Sequence, residues 1–166
     1  RTSRQWQSSA TGQPITGGSF LILDWASRFN WDQVDTVLLD MDGTLLDLHF
    51  DSFFWLQHLP KRYGQKYGLP IEQAIPDIKQ RLADKQGTLD WYCTEFWSRE
   101  LDMDIIGLKC EIQHLIGERP QTIDFLQALG DRGKDRVLIT NAHRDSLDIK
   151  FSVTDIQPLL DKVISS

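Results

Sequence analysis

Between Val34 and Leu46 a short apolar run, Val37-Leu38-Leu39, stops at two acids one residue apart, Asp40 and Asp42, followed at once by Gly43 and Thr44. Aliphatic residues over strand length, punctuated by a glycine, read as a buried parallel strand that delivers carboxylates to its C-terminal end. Ligands of open α/β sheets bind at that edge. On an extended backbone, side chains two apart project the same way, so Asp40 and Asp42 are expected to face one small volume, as far as the turn allows. Neighbouring carboxylates repel, and a hard cation such as Mg2+ relieves the repulsion by taking their oxygens, which makes both acids candidate metal ligands. With a phosphate neutralised in the same way, Asp40 can attack phosphorus. Asp42 is then placed to protonate the leaving oxygen and later to accept a proton from water. Gly43 permits close backbone approach, and Thr44 orients Asp40 or caps the turn. The plainer alternative is an acidic turn that merely ends a strand.

After Leu46 the pattern turns helical. Segments over Leu48 to Tyr67 (stopped by Gly68), Ile71 to Ala83 (with Pro76 as a start or kink), Leu89 to Leu101, and Ile105 to Ile116 (stopped by Gly117) carry apolar residues at helical spacing. Alternation then resumes, with a helix over Thr122 to Leu129, a strand over Arg136 to Thr140, a helix over His143 to Phe151 and a strand over Leu159 to Ile164. The expected fold is α/β, a partial doubly wound parallel sheet of Rossmann-like type with a helical cap inserted after the first strand. The cap is residues 47–117, the core 20–46 and 118–166, and 1–19 a polar, disordered tail. Thr140 and Asn141 close the second strand, where a hydroxyl followed by backbone amides can receive phosphate oxygens. Turn and N-cap chemistry is the competing reading there.

With 166 residues the chain supports one ordinary core and a small accessory domain. A net charge of -6 without a basic stripe argues against a nucleic-acid polymer as partner. Cys93 and Cys110 form neither a disulfide framework nor a metal-type spacing, which points to a reducing cytoplasm. No apolar stretch reaches membrane-spanning length. Nothing in the sequence fixes an oligomeric state.

The stretch Asp40-Met41-Asp42-Gly43-Thr44 behind an apolar strand resembles the first motif of the haloacid-dehalogenase-like superfamily, and Thr140-Asn141 resembles its second. The resemblance implies that Asp40 forms an aspartyl-phosphate, that Asp42 is the general acid/base, and that Mg2+ is required. It further implies that the insertion closes over the leaving group. Together with Leu89-Asp90-Trp91-Tyr92-Cys93 and the run Thr140-Asn141-Ala142-His143, the chain is similar to bacterial purine nucleoside monophosphatases of the GMP/IMP type. That implies a small phosphorylated metabolite, a purine nucleotide, as substrate, with Asp47 and Asp51 as candidate contacts from the cap. The aromatic residues Phe50, Phe53, Phe54, Trp55, Trp91, Tyr92 and Trp97 either build the cap's own core or stack on a base. The family's third and fourth motifs, a Lys and then an acidic pair closing a further strand, find no match; Lys150 lies on a preceding helix and Lys162 starts a strand. The chain is therefore expected to be an N-terminal fragment, with weak Mg2+ binding, negligible turnover alone, and an exposed edge on its first strand. Alternatives are a phosphosugar phosphatase or mutase of the same superfamily, and a non-catalytic phosphate- or partner-binding domain.

Overall fold

A computed structural model describes residues 30–165. Three short parallel strands, β1 (Thr36–Leu39), β2 (Asp135–Thr140) and β3 (Lys162–Ser165), lie in the order β1-β2-β3. The register sets Leu39 opposite Leu138 and Ile139 opposite Ile164. The strands are linked through α6 (Thr122–Asp131) before β2 and α7 (Arg144–Ser152) after it. Leu126 of α6 and Leu147 of α7 pack on Leu39 and Leu138 in one cluster with Met41, Leu45, Leu46 and Ile156. Strands added in one direction by right-handed crossovers carry their helices on one face, so the opposite face stays uncovered among the described residues. Leu38, Ile139 and Ile164 are accordingly 65%, 42% and 43% exposed. The expectation of a buried first strand therefore fails for Leu38. The strand also has no partner on its outer edge among the described residues.

The third strand begins at Lys162 rather than Leu159, because Gln157–Leu159 forms a 3-10 turn with Pro158 in its first positions. Leu159 and Leu160 pack on the sheet's apolar cluster instead of pairing in it.

Between β1 and α6 the chain is helical. α1 (His49–Phe53) runs through a π-helical turn, Phe54–His58, into α2 (Leu59–Tyr67). Pro60 explains the widened turn, since its ring clashes with the carbonyl one turn back and it has no N–H to donate. Gly68, at φ +66°, ends α2 by turning its N–H back to Gly64. α3 (Ile71–Lys85) continues through Pro76, which is therefore not its start, and extends two residues beyond the predicted end. The third predicted helix is broken: Leu89–Trp91 is a 3-10 turn and α4 (Thr94–Glu100) starts afresh. Cys93 makes the break, taking an extended backbone and accepting the Phe96 amide on Sγ. α5 (Ile105–Cys110), capped by Asp104, is shorter than predicted and is followed by a 3-10 turn, Gln113–Leu115.

These helices share a core of their own, in which Phe50, Phe54, Leu59, Ile78, Trp97, Leu101 and Ile105 are all buried. Trp97 packs edge-on against Trp55 at 5.6 Å and donates its indole N–H to the Trp91 carbonyl at 3.1 Å. Burial of each such side chain is worth roughly 1.5–3 kcal/mol. The way in and the way out of the helical insertion are tied together, with Leu46 bridged to Glu118 and the Asp47 amide donating to the Gly117 carbonyl at 3.0 Å.

The chain divides into two units at Val34, the first of which the structure describes over residues 30–34. Of the first, Asn30 accepts the Asp32 amide at 3.1 Å and opens a single 3-10 turn, Trp31–Gln33. The expectations for the tail at 1–19 and for the apolar stretch from Phe20 to Phe29 fall outside the described residues. Among the described residues no helix is long and apolar enough to cross a membrane.

Candidate active site

The turn after β1 is wound on one carbonyl. Met41, fully buried, accepts the amides of Thr44, Leu45 and Leu46, and Gly43 donates to Leu46 at 2.8 Å. Gly43 sits at φ +83°, a conformation that costs any residue with a Cβ about 1–2 kcal/mol. Leu45 anchors the turn to α6, its carbonyl accepting the Arg119 amide and the Thr122 hydroxyl, both at 2.9 Å. The two acids consequently occupy different surroundings. Asp40 is exposed at the strand end, where Thr44 Oγ1 donates to its Oδ2 at 3.4 Å. Asp42 is partly buried, and Lys150 Nζ donates to its Oδ1 at 2.6 Å.

Lys150, only 2% exposed, also donates to Asp51 Oδ2 at 2.7 Å. The other oxygen of Asp51 receives Lys109 Nζ at 3.2 Å, and Lys109 donates as well to Ser146 Oγ at 3.1 Å. Two carboxylates and two ammonium groups thus alternate among the β1 turn, α7, α1 and α5, joining the helical insertion to the elements of the sheet. Such a buried set is tolerable because every charge faces an opposite one. The rings of Phe50, Phe54 and Trp55 lie 5.4, 5.1 and 5.7 Å from the Lys109 ammonium and replace part of its lost hydration. Burial pushes the Asp42 carboxyl above its ordinary value, with Asp51 adding to the rise and Lys150 opposing it. Burial also acts upward on Asp51, yet Lys109 and Lys150 together pull harder and leave it below the ordinary value. Lys109 is held below the usual range by burial, against the pull of Asp51.

Above this network opens a cleft of about 250 Å3, lined by Asp42, Asp51, Trp55, Trp91, Tyr92 and Lys109 among others. The sequence-derived residues divide around it. Asp42 and Asp51 line the cleft; Asp40, Gly43, Thr44, Thr140 and Asn141 lie at the strand ends outside its lining. Pairing of β1 with β2 brings the Asp40 and Thr140 ends side by side at the same sheet edge. Thr140 Oγ1 is occupied locally, accepting the Ala142 amide at 3.1 Å, which is the turn chemistry weighed against phosphate binding. His143 caps α7, its ring accepting the Asp145 amide. Asp47 is outside the cleft lining and accepts the His49 amide at 2.8 Å, turning the chain into α1. Of the seven cap aromatics, Phe50, Phe54 and Trp97 are core and Phe53 packs against it, whereas Trp55 and Trp91 pack on the core and, with Tyr92, also reach the cleft.

Sequence reasoning missed Lys109 and Lys150 as members of this site. A signal was present for each. Lys109 lies four residues after Ile105 and three before Ile112, and Lys150 three after Leu147, so both ammonium stems sit in the apolar stripe of a helix. A lysine in such a stripe has to find a buried carboxylate.

The donors available to a Mg2+ ion are carboxylate oxygens, the hard ligands that ion takes. They fit it at Asp40, exposed and held by the long 3.4 Å contact from Thr44, and at the second oxygen of Asp42, whose first oxygen takes Lys150.

Over 136 residues, 82% of its length, the chain is 44% identical to the GMP/IMP nucleotidase YrfG of Escherichia coli and equally to that of Shigella flexneri. It spans 61% of the length of these curated relatives. It is also 25% identical over 142 residues to the pyrophosphatase PpaX of Bacillus pumilus. No protein-family model matches the chain. Among solved structures, a HAD phosphatase from Thermococcus onnurineus superposes with a TM-score of 0.70 at 23% identity, over 80% of this chain and 62% of that one. YfnB from Bacillus subtilis, solved bound to magnesium, superposes at 0.50 with 15% identity, over 80% and 65%.

Proposed function

We propose, from the premise that this chain has the haloacid-dehalogenase-like fold and is a close relative in sequence of GMP/IMP nucleotidases, that the protein it belongs to is a Mg2+-dependent purine nucleoside 5′-monophosphatase. The observation that carries the proposal is the asymmetry of the two acids in the β1 turn. Asp40 stands exposed at the sheet edge, and Asp42 is turned under the cleft with its carboxyl pushed up by burial. A nucleophile needs the first setting and a general acid the second.

In this reading an Asp40 oxygen attacks phosphorus and the bond to the nucleoside 5′-oxygen breaks, while Asp42 gives that oxygen its proton. Water then attacks the aspartyl-phosphate, Asp42 takes the proton back, and Asp40 is released with inorganic phosphate. Gly43, Thr44, Thr140 and Asn141 receive the phosphate oxygens, and Thr44 keeps Asp40 oriented. Mg2+, held by Asp40 and Asp42, would supply the positive charge that lets a carboxylate approach a phosphate. Lys150 fixes the Asp42 side chain, and Trp55, Trp91 and Tyr92 offer flat apolar faces for the purine. The residues 47–117 act as the cap and the remainder of the described sheet domain as the core. Two free cysteines are consistent with a cytoplasmic site of action.

Phosphate release from GMP, IMP and a hexose phosphate, with Mg2+, tests the proposal on the chain and on the same chain extended through the superfamily's Lys and acidic-pair motifs. The extended protein should release phosphate fastest from the two purine nucleotides, with the shorter chain far slower. A preference for the hexose phosphate, or return of the phosphoryl group to a sugar, would replace the nucleotidase with the sugar enzyme. No release from either protein would leave the binding-domain reading.

A further inference from the structure

A second cluster of ligand-type side chains stands at the rim of the cleft, and the reaction above does not use it. Cys93 Sγ, a carboxylate oxygen of Glu95 and a ring nitrogen of His143 lie within 4.8 Å of one another. Cys93 and Glu95 flank the first residue of α4 in the helical insertion, and His143 caps α7 in the sheet domain. Glu95 and His143 stand 48 positions apart along the chain, farther than a local motif spans, which is why cysteine spacing alone gave no sign of the site.

We propose that these three residues bind a borderline-soft divalent cation, Zn2+ by preference, and that the ion staples the insertion to the sheet domain. The donor set argues for that metal. A thiolate, an imidazole and one carboxylate suit Zn2+, whereas Mg2+ seeks oxygen ligands alone and belongs at the β1 turn. Three protein ligands leave the fourth tetrahedral position to water, so the ion stays open to exchange with solvent. The Glu95 side is exposed and the other two ligands are half-buried, so solvent reaches the site. The cysteine binds as thiolate and releases its proton to solvent.

The supporting groups are already in place. Thr94, between the two ligands of the insertion, shares a hydrogen bond of 2.9 Å with His143 Nδ1, and Asp145 Oδ2 lies 3.5 Å from the same nitrogen; with Nε2 on the ion, Nδ1 carries the proton and donates to Thr94, giving up the 3.4 Å contact from the Asp145 amide. The Phe96 amide holds the Cys93 sulfur at 3.4 Å. One short segment therefore supplies two ligands and orients the third, the arrangement by which surrounding groups raise metal affinity. Because Thr94 and His143 also line the cleft, an ion here fixes one wall of the cleft. Slowed turnover follows from that only if the phosphatase reading is right; the binding itself does not depend on it.

Co2+ serves as the spectroscopic probe, in a Cys110→Ser background so that Cys93 is the sole thiol. One Co2+ per chain should bind with a thiolate charge-transfer band, be displaced by Zn2+, and be indifferent to excess Mg2+. Cys93→Ser should abolish the band. His143→Ala and Glu95→Gln, checked for native circular dichroism, should weaken affinity by ~10-fold or more, and Thr94→Val by about 10-fold. An absent band, or a band whose affinity is unchanged in both His143→Ala and Glu95→Gln, overturns the proposal, since the thiol would then bind the metal without its partners. Phosphate release by the extended enzyme, measured with Zn2+ at fixed excess Mg2+, reads the consequence separately.

Discussion

Replacing Lys150 by Met isolates the charge network at its most buried point. Met fills nearly the same apolar volume, so the change removes an ammonium group without opening a cavity. Lys150 Nζ holds Asp42 at 2.6 Å and Asp51 at 2.7 Å, and in its absence Asp51 keeps Lys109 at 3.2 Å while Asp42 loses its ion-pair partner. Breaking a fully buried pair costs 3–5 kcal/mol, but the Asp42 side chain is 30% exposed and only one carboxylate is orphaned, so roughly 2–3 kcal/mol is expected. For a chain of this size that lowers Tm by roughly 4–12 °C. The loss should depend on pH in a definite direction. Asp42 already has a raised folded-state pKa, so the native state favours its protonated form, and stability is lost as pH rises from the unfolded value through the folded one. Without Lys150 that pKa rises further, the ionised form becomes costlier, and the difference from the parent should be larger at about pH 8 than at about pH 5. Urea unfolding followed by fluorescence measures both values, and Asp42→Asn completes a double-mutant cycle whose coupling should exceed ~1 kcal/mol. A Lys150→Met protein as stable as its parent at the higher pH, or additive with Asp42→Asn, would refute the reasoning.

Asp161 is pulled down to about 2 by hydrogen bonds from the Arg136 side chain and amide, so its contribution is complete above the unfolded value of 3.8 and disappears as pH falls toward 2. Asp161→Asn should accordingly lower Tm near neutral pH, with the difference from the parent vanishing by about pH 2; a constant difference across that range would contradict the assignment. Trp97, 1% exposed at the centre of the insertion's core, should cost roughly 3–5 kcal/mol as Trp97→Ala in the same urea assay, and a loss below about 1 kcal/mol would mean that this core is not packed as described.

The parts legible in the sequence are those written in local pattern. An apolar run ending in Asp40 and Asp42, a glycine at each place where φ turns positive near Gly43 and Gly68, and helical spacing through the insertion all state their structure within a few residues. What depends on partners far along the chain was not legible. The pairing of Lys150 with Asp42 joins residues over a hundred positions apart, and Ser146 meets Lys109 only because α5 and α7 pack together. The uncovered face at Leu38 follows from strand order, which the composition of a single strand does not encode. The break at Cys93 turned on a sulfur acting as a cap, a role that helical periodicity overlooks.

The central claim is that Asp40 carries the phosphoryl group. GMP bearing a radiolabelled phosphate, mixed with the extended protein and quenched in acid during turnover, should leave label on the peptide containing Asp40, labile to hydroxylamine and absent from Asp40→Asn. Turnover of GMP with no trapped label, or label that persists in Asp40→Asn, would contradict the account.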